Sequence, residues 1–373
     1  MRPAIGAPPQ RSDVANVFPR QFLSSVQGDL SNVTAPPTFL APSSVVEVGH
    51  CWAQRPAVFA APAREADPEK RALLVLRLVL VALRSQLYIA GSPAVSIKKP
   101  LNAFLGEVFL ASWADDAAKA RTRLVAEQVS HHPPITAMHI ADEANGVRAD
   151  GYARVEMTFT GTVNIRQVGH VGQRHQVLLV PAVQAQHGVA EMDFSGEGYL
   201  SGRRNSFDAR LFRADDPGRV LYRAAGVWSR GWTVTDARTG AEVERYDVEA
   251  PENAPAPAEL TPRAEQDVWE SRRAWGGVLD GMAAGDVCRV VAEKKRLEQA
   301  QRLMRRREAA AGAKWEPLFF RSLAGAEHDV FHRLAEGTTW PLCDEKTKGV
   351  WRVREDVVDG VKRPFRGELT PHG

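Results

Sequence analysis

The stretch LVAEQVSHHPPITAMHI, residues 124–140, places two β-prone runs on either side of a rigid corner. The runs are Leu124–Val129 and Ile135–Ile140, and the corner is HHPP at 131–134. Because a proline biases the residue before it toward extended conformations, this corner holds both imidazole rings in fixed directions. The stretch therefore predicts two neighbouring strands joined by a turn that presents two histidines.

Outward from this stretch, short β-prone runs continue through about residues 104–248, with Gly-, Asp- and Asn-containing turns between them. The further runs are Gly151–Phe159, Thr162–Val168, Gln176–Val180, Glu191–Phe194, Ser206–Phe212, Val220–Trp228, Thr233–Asp236 and Ala241–Val248. Many closely spaced short strands are typical of an antiparallel sheet or barrel. Strands and helices do not alternate along the chain, which argues against a doubly wound parallel sheet.

An amphipathic pattern precedes the strand-rich region. Phe18, Phe22, Val26 and Leu30 recur every four residues, with Leu23 beside them, and polar residues occupy the other side. This spacing predicts a helix over residues 17–30. Its apolar face could pack on the core, or the helix could be a movable flap or a membrane-touching segment.

The other helical patterns lie at 67–88, at about 263–281 and at about 285–311, and residues 250–262 have the composition of a linker. The last of these helices is strongly basic. The longest apolar run, Leu73–Leu83, is interrupted by Arg77 and is too short to span a bilayer. We interpret this run as part of a buried helix.

The composition is that of an ordinary globular protein. Of the 373 residues, 44% are hydrophobic and 25% are charged, which excludes collagen, coiled coil and disorder of the whole chain. The formal net charge of +3 argues against a uniformly cationic nucleic-acid-binding protein. Three widely spaced cysteines, Cys51, Cys288 and Cys343, form no CxxC pair and indicate a reducing compartment.

The densest polar motif is EQVSHHPP, residues 127–134. Two adjacent histidines can donate charge-assisted hydrogen bonds to a phosphate when protonated. Metal binding, general acid–base catalysis with Glu127 orienting a histidine, and simple packing at a turn are the alternatives. Metal binding is disfavoured because neighbouring side chains of a strand point to opposite faces. No GxSxG elbow, Walker loop or complete dinucleotide-binding glycine motif accompanies the pair, so an enzyme has little support.

Two further cationic motifs could serve a phosphate. Lys98 and Lys99 precede a Pro-containing turn whose backbone amides could receive an anion. Lys294, Glu298 and Arg302 are spaced i, i+4 and i+8, so they form one stripe on the basic helix. Each motif could instead be a solvated surface patch, and spacing alone favours that interpretation.

These motifs together resemble the lipid-binding domain of the oxysterol-binding protein family. EQVSHHPP matches the family's signature octapeptide without departure, and KKPLNAFLGE, SGRRNSF, ESRRAW and KKRLEQAQR follow the family's order. The similarity runs from about residue 17 to about residue 320, and the chain resembles a short fungal-type member. It implies an α+β fold: a large, nearly closed antiparallel β-barrel around an apolar lipid tunnel, with an N-terminal helical lid and a C-terminal helical subdomain.

The resemblance also implies an organisation of the chain. Residues 1–16 would form a flexible N-terminus, and residues 17–373 a single domain. Within that domain, residues 17–30 would be the lid, 31–94 a region of helices and turns, 95–250 the barrel and 251–373 the C-terminal helical region and tail.

The resemblance further implies three sets of site residues. The phosphoinositide site would comprise Lys99, Leu101, Asn102, His131, His132, Lys294, Glu298 and Arg302. The sterol tunnel would include Trp52, Gln86, Leu87, Ala153 and Gln167. The lid would present Phe18, Phe22, Leu23, Val26 and Leu30. Leu87 and Ala153 depart from the Tyr and Asn of sterol-binding relatives, which weakens the polar floor of the tunnel.

The implied function is lipid transfer: one tunnel binds sterol and phosphatidylinositol 4-phosphate and exchanges them between membranes. A different second lipid, such as phosphatidylserine, and a lipid sensor are the alternatives. No catalytic residue, metal or cofactor is expected. The expected partners are ergosterol or cholesterol, phosphatidylinositol 4-phosphate and anionic membrane surfaces, but no nucleic acid. The chain is expected to be a cytoplasmic monomer that touches endoplasmic reticulum, Golgi or plasma membranes transiently.

Overall fold

A computed structural model describes residues 37, 40–87, 98–159, 163–174, 176–178, 182–185, 188–195, 205–213, 215–323 and 344–373. The predicted α+β class is confirmed: a large antiparallel sheet lies between N-terminal and C-terminal helices. The predicted lid helix, residues 17–30, lies outside the described residues. Among the described helices, none combines the length and the apolar composition that crossing a bilayer requires.

The sheet is a meander in which each strand pairs with the next one along the chain. Within the described residues it has twelve strands, all joined in antiparallel order. They are β3 (Val108–Asp115), β4 (Ala120–His131), β5 (Pro134–Asp142), β6 (Val147–Phe159), β7 (Val163–Arg174), β8 (Gln176–Leu178), β9 (Ala182–Ala185), β10 (Gly188–Ser195), β11 (Ser206–Arg213), β12 (Asp216–Val227), β13 (Gly231–Asp236) and β14 (Glu242–Asp247). Each of the ten predicted β-prone runs overlaps one of these strands, and β3 and β9 are additional.

The N-terminal region combines short helices with one small strand pair. Its helices are α1 (His50–Ala53), α2 (Pro56–Arg64) and α3 (Pro68–Leu87). Strand β1 (Leu40–Ser44) pairs in parallel with β2 (Lys99–Leu101), a pairing that the sequence did not predict. The predicted helix at 67–88 is therefore confirmed as α3, and Asp67 accepts a hydrogen bond from the Glu69 amide at its start, 2.8 Å.

The C-terminal region contains helices α4 (Ser271–Ala274), α5 (Gly276–Ala283), α6 (Val287–Ala310) and α7 (Glu355–Val358), and a hairpin of β15 (Phe320–Leu323) and β16 (Val350–Val353). The basic helix predicted at 285–311 is α6, whose N-cap Asp286 accepts from the Arg289 amide, 2.9 Å. The helix predicted at about 263–281 is wrong in its first half, because residues 263–270 form turns and an isolated bridge. The hairpin was not predicted.

The sheet curves around α3. Phe109 from β3, Tyr246 from β14 and Val79 from α3 are buried in one apolar cluster. Twelve strands laid flat would separate the first from the last by about 50 Å, at roughly 4.8 Å per strand. The two edge strands can share a cluster with one helix only because the sheet bends, and this places the main core inside the curved sheet.

The segment predicted as a linker covers the edge of β3. Ser112 donates its amide to the Glu259 carbonyl, 3.0 Å, and the Glu259 amide returns a bond to the Ser112 carbonyl, 2.7 Å. The Ala256 amide also donates to the Gln54 carbonyl, 2.8 Å. These bonds satisfy backbone groups that an edge strand would otherwise expose, so residues 250–262 are part of the fold rather than a free connection.

The outer face of the sheet is buried as well, beneath the β15–β16 hairpin. Tyr152 of β6 packs in a second cluster with Phe320 and Trp351 of the hairpin. Asp150 is buried there and accepts from His139 Nδ1, 2.7 Å, with Arg352 Nη2 3.3 Å from its other oxygen. Asp150 and Tyr152 of β6 are therefore covered by the C-terminal region instead of facing water.

Candidate functional site

A pocket of about 1060 Å³ opens beside the His131–Pro134 corner. Seven of the eight residues predicted for the phosphoinositide site line it: Lys99, Asn102, His131, His132, Lys294, Glu298 and Arg302. They come from β2 and the turn after it, from the end of β4 and from α6. The eighth, Leu101, is buried in the apolar cluster that also contains Leu297 of α6, so its side chain supports the pocket wall from behind.

The conformation of the turn after β2 requires glycine at one position. Gly106 has φ +82°, and a Cβ on it would lie 2.3 Å from Cζ2 of Trp315. Its amide donates to the Gln128 carbonyl, 2.9 Å, which ties the turn to β4. A positive φ and a close approach both require glycine here, and they fix the position of Lys99 and Asn102 relative to the histidines.

Glu107, directly after that glycine, connects the turn to the C-terminal helices. Its side chain is fully buried and accepts bonds from Ser271 Oγ, 2.6 Å, from Trp275 Nε1, 3.0 Å, and from the Phe104 amide, 3.0 Å. Burial raises the pKa of Glu107 to about 7, and the hydrogen bonds oppose this shift. The carboxyl therefore clamps the β2 turn against α4 and α5.

The two histidines stand edge to face, with ring centroids 4.5 Å apart. His131 Nδ1 lies 3.0 Å from the Ala103 carbonyl, so Nδ1 carries a proton and donates it, leaving Nε2 as the second ring nitrogen. Burial lowers the pKa of His131, and the neighbouring His132 lowers it further. Both effects favour the neutral form of His131 in the free protein. The peptide bond between His132 and Pro133 is cis.

The stripe on α6 places a carboxylate between two cations. Lys294 forms an ion pair with Glu298, and Arg302 Nη2 lies 3.9 Å from the other oxygen of Glu298. The Lys294 side chain is 10% exposed whereas that of Arg302 is 70% exposed. Glu298 thus orients a buried ammonium, while the guanidinium remains free to turn toward a ligand.

Glu127, the first residue of the octapeptide, does not orient the histidines. It is fully buried and accepts from the amides of Leu318, 2.7 Å, and Phe319, 2.8 Å, and from Arg366 Nη2, 3.2 Å. Burial raises its pKa and these three donors oppose the shift. The possibility that Glu127 assists a catalytic histidine is therefore wrong, because it binds the C-terminal segment.

The pocket also has a wall that the sequence did not reveal. Arg305, Trp315 and Lys348 line it together with the predicted residues. Arg305 lies three residues after Arg302 on the basic helix, which was a usable signal. Trp315 and Lys348 belong to a tail without clear periodicity, and no motif marks them.

The residues predicted for the tunnel are only partly described. Trp52 and Ala153 are 3% and 4% exposed and lie in the same inner cluster. Within the described residues, Trp52 Nε1 has no hydrogen-bond partner. Gln86 is half-buried at the end of α3, and Gln167 lies in β7 opposite Val155. The side chains of Leu87 and Gln167, and the predicted lid residues, lie outside what the structure describes.

In the part of the chain that the structure describes, His, Cys, Asp and Glu side chains form no group of three that could hold an ion. The polar groups that line the pocket include imidazoles, ammonium and guanidinium groups, carboxylates and side-chain amides.

Comparison with known proteins identifies the class. The oxysterol-binding protein family model matches residues 20–179. Protein kes1 of Schizosaccharomyces pombe is 32% identical, covering 80% of this chain and 85% of that protein. Protein KES1 of Mycosarcoma maydis is 33% identical, covering 78% and 84%. The chain belongs to the oxysterol-binding protein family.

A longer relative and two solved structures complete the comparison. The probable transporter efuK of Hormonema carpetanum is 39% identical over 94% of this chain, which spans only 54% of that protein's length. The ORD domain of Osh1 in complex with ergosterol has a TM-score of 0.61 at 17% identity, covering 87% of this chain and 85% of that one. Osh3 ORD of Saccharomyces cerevisiae with PI(4)P has a TM-score of 0.58 at 18% identity, covering 82% and 87%. At these identities the likeness is one of fold.

Proposed function

We propose that this protein is a lipid-transfer protein that binds phosphatidylinositol 4-phosphate and sterol in one tunnel and exchanges them between membranes. One observation carries the proposal: three distant chain segments bring two histidines, two lysines and an arginine around one pocket. Several cationic donors around one pocket suit a phosphorylated head group. The Osh3 domain with a similar fold was solved with PI(4)P, which supports this assignment.

Each pocket residue has a role in this proposal. His131 and His132 bind the ring phosphate, and His131 becomes protonated as the phosphate enters, because a nearby anion favours the imidazolium. Lys294 and Arg302 neutralise the remaining charge while Glu298 orients them. Asn102 and the backbone amides after Lys99 bind the second phosphate, which links the head group to glycerol. No bond is made or broken, so no catalytic residue is needed.

The second lipid occupies the interior of the curved sheet. Trp52 Nε1 is a buried donor without a described acceptor, which suits a sterol hydroxyl or a bridging water. Structures of the similar Osh1 domain with ergosterol and with cholesterol support sterol as the cargo. Leu87 and Ala153 offer no polar atoms, so phosphatidylserine is the second candidate.

The cellular setting is part of the same proposal. The chain acts as a single domain over residues 17–373, with 17–30 as its lid, and works at cytoplasmic faces of endoplasmic reticulum, Golgi or plasma membranes. Basic residues at the pocket favour anionic membranes by about 1 kcal/mol for each well-placed cation. The membrane supplies one lipid and receives the other.

The test is lipid extraction from liposomes, with sterol, phosphatidylserine and phosphatidylinositol 4-phosphate offered separately and in competition. We expect uptake of phosphoinositide and sterol, each displacing the other. His131→Ala with His132→Ala should abolish phosphoinositide uptake and largely spare sterol uptake. Lys294→Ala should weaken phosphoinositide uptake, whereas its exposed neighbour Lys295→Ala should not.

Three outcomes would change the assignment. Equal loss of both lipids in the histidine variant, in a protein that still unfolds cooperatively, would reject the pocket as a head-group site. Uptake of phosphatidylserine in place of sterol would keep the pocket and replace the cargo. Release of inorganic phosphate from the phosphoinositide would indicate an enzyme.

A further inference from the structure

A second depression lies on the outer face of the sheet, apart from the head-group pocket beside His131. Its volume is about 600 Å³, within the roughly 300–1,000 Å³ typical of ligand pockets. It is bounded by residues 110–112 of β3, by the segment 259–261 and by residues 361–363 and Phe365, and we call it the outer groove. None of the residues that line it also lines the head-group pocket.

The floor of the outer groove is apolar and incompletely covered. Leu110, Val361 and Phe365 pack against the outer cluster of the sheet, but each is only partly buried. Leu260 at the rim is 38% exposed. Apolar side chains gathered in one open depression are typical of a surface that binds another apolar group.

The edge of β3 carries an unpaired backbone position in this groove. Ser112 exchanges two hydrogen bonds with Glu259, and the Val108 amide donates to the Trp269 carbonyl, 2.9 Å. Because backbone groups alternate in direction along a strand, the amide and carbonyl of Leu110, midway between these positions, also point away from β4. No hydrogen bond reaches them from the described residues. Leu110 therefore leaves a gap of one residue between two covered positions.

The outer groove reaches this open backbone. Ala111 and Leu124 belong to the inner apolar cluster, so their side chains lie on the opposite face of the sheet. Both residues nevertheless line the outer groove, which they can do only with their backbone. A ligand in the groove is therefore close to the unpaired groups of Leu110.

The rim of the outer groove is mainly cationic. Arg123, Lys362 and Arg363 line it, against the single carboxylate of Glu259. Glu259 is already paired with Arg121, 2.5 Å away. Arg123 and Arg363 are paired with carboxylates that do not line the groove, whereas Lys362 is exposed and forms no ion pair in the described part of the chain. An acidic partner is therefore complementary to the rim in charge.

We propose that the outer groove binds a short, extended, acidic segment of a partner protein. One residue of that segment exchanges two backbone hydrogen bonds with Leu110, its apolar side chain packs on Val361 and Phe365, and a flanking carboxylate pairs with Lys362. A peptide is favoured over an acyl chain, because an acyl chain has neither a donor nor an acceptor for the Leu110 backbone. The contact is small, which suits a transient partner.

The probe is a fluorescein-labelled heptapeptide with blocked ends, Glu-Asp-Glu-Leu-Glu-Asp-Glu, together with analogues that carry Val, Ile, Phe or Trp at the centre. Fluorescence anisotropy at low salt measures binding to the full chain. We expect at least one acidic peptide to bind, and its counterpart with six lysines to bind at least tenfold more weakly. N-methylation of the central residue removes the donor to the Leu110 carbonyl and should weaken binding about tenfold.

Matched variants locate the peptide on the protein. Lys362→Glu and Leu260→Glu should each weaken binding of the acidic peptide about tenfold. Lys295→Glu and Leu303→Glu change exposed residues of the same types on α6, outside the outer groove, and should bind it like the wild-type protein. Circular dichroism confirms that all four variants are folded. Hydrogen exchange should show protection of residues 108–112 by the peptide.

Three outcomes would overturn the proposal. These are absence of binding by all five acidic peptides, equal binding of the lysine peptides, and unchanged binding by both groove variants. Binding of sodium laurate that is lost in Leu260→Glu, without any peptide binding, would assign the groove to an acyl chain instead. Uptake of phosphatidylinositol 4-phosphate should be the same in Lys362→Glu as in the wild-type protein, so failure of this proposal leaves the proposed lipid-transfer function intact.

Discussion

At the scale of single residues, two buried glutamates carry much of the site's architecture. Glu107 and Glu127 are both fully buried, and both bind segments more than 150 residues away along the chain. They differ in the groups that compensate for burying the carboxylate. Glu127 has Arg366 beside it, whereas Glu107 is bound by neutral donors and has no ion pair among the described residues. The pKa of Glu107 is accordingly raised to about 7.

Glu107→Gln should make the protein more stable at pH 8. The folded pKa of about 7 exceeds the ordinary value of 4.5, so the folded state keeps a proton that the unfolded chain releases. Stability is then highest below pH 4.5 and falls as the pH rises to 7, by about 3 kcal/mol. Glutamine keeps the acceptor for Trp275 and Phe104 and can donate to Ser271. Urea unfolding at pH 5 and pH 8 measures the difference, and an unchanged pH dependence in the variant would contradict this assignment.

Head-group affinity should fall as pH rises, because of His131. Burial holds its pKa below the ordinary 6.5 in the free protein, and a bound phosphate raises it. Binding therefore takes up a proton, and affinity decreases through the bound-state pKa by up to about tenfold per pH unit for one proton. Above about pH 6.5 the phosphomonoester keeps its second charge, so titrations from pH 6.5 to 8.5 isolate the protonation of His131. His131→Ala should flatten the profile, and a variant that keeps the slope would exclude His131.

The motifs identified residues that the structure places around one pocket, but they missed part of the pocket's lining. Lys99, His131 and Lys294 were found because each belongs to a recognisable segment. Trp315 and Lys348 were not, because only tertiary folding brings the tail across the pocket. Their positions in the pocket depend on the contacts of Trp315 with Arg366 and of Lys348 with Ser130, and no local sequence pattern encodes these contacts.

At the scale of elements, the C-terminal segment is fastened to β4 through Arg366. Its guanidinium pairs with Glu127 and lies over the rings of Trp315 and Trp269, with Cζ 4.0 Å and 5.3 Å from their centroids. Removing one member of a buried ion pair leaves the other charge uncompensated, which costs more than the pair contributes. This fastening also positions Trp315, which lines the pocket.

Arg366→Leu should therefore destabilise the protein by about 3–5 kcal/mol. Adding Glu127→Gln should restore part of this loss, because the buried charge is then gone. Arg238→Leu, which removes an exposed arginine paired with Asp236, is the control and should change stability far less. Denaturant unfolding measures all four proteins. Equal losses of stability in Arg366→Leu and Arg238→Leu would mean that the ion pair of Arg366 with Glu127 contributes no more to stability than an exposed ion pair.

The elements missed by the sequence are those with little local signal. Strand β2 has three residues and includes Pro100, and it exists because β1 offers a parallel partner. The β15–β16 hairpin joins Phe320 to Val353 across a long separation. In contrast, strands β4 to β6 have apolar runs and clear turns, so the local pattern was sufficient. Long-range pairing is the information that short windows of sequence lack.

At the scale of the whole molecule, the pocket is the meeting point of the β2 turn, the end of β4, helix α6 and the C-terminal tail. No one of these segments carries a complete site, and the unfolded chain has none. A ligand that binds only this assembled arrangement must stabilise the entire fold by mass action. The stabilisation that a soluble ligand produces therefore tests whether the segments form one site. The measurement needs no lipid membrane.

Inositol 1,4-bisphosphate, the soluble head group of phosphatidylinositol 4-phosphate, should stabilise the protein by about 2.7 kcal/mol at a hundred times its dissociation constant and raise the melting temperature by about 3 °C. Lys294→Ala should greatly reduce this shift, whereas the adjacent, exposed Lys295→Ala should retain it, and thermal denaturation followed by circular dichroism measures both. Hydrogen exchange should show protection in the β2 turn, at His131 and His132 and in α6 at once, because the ligand contacts all three. Protection confined to α6 would mean that the phosphate binds a basic helix surface, and the convergence of the three segments would then have no part in recognition.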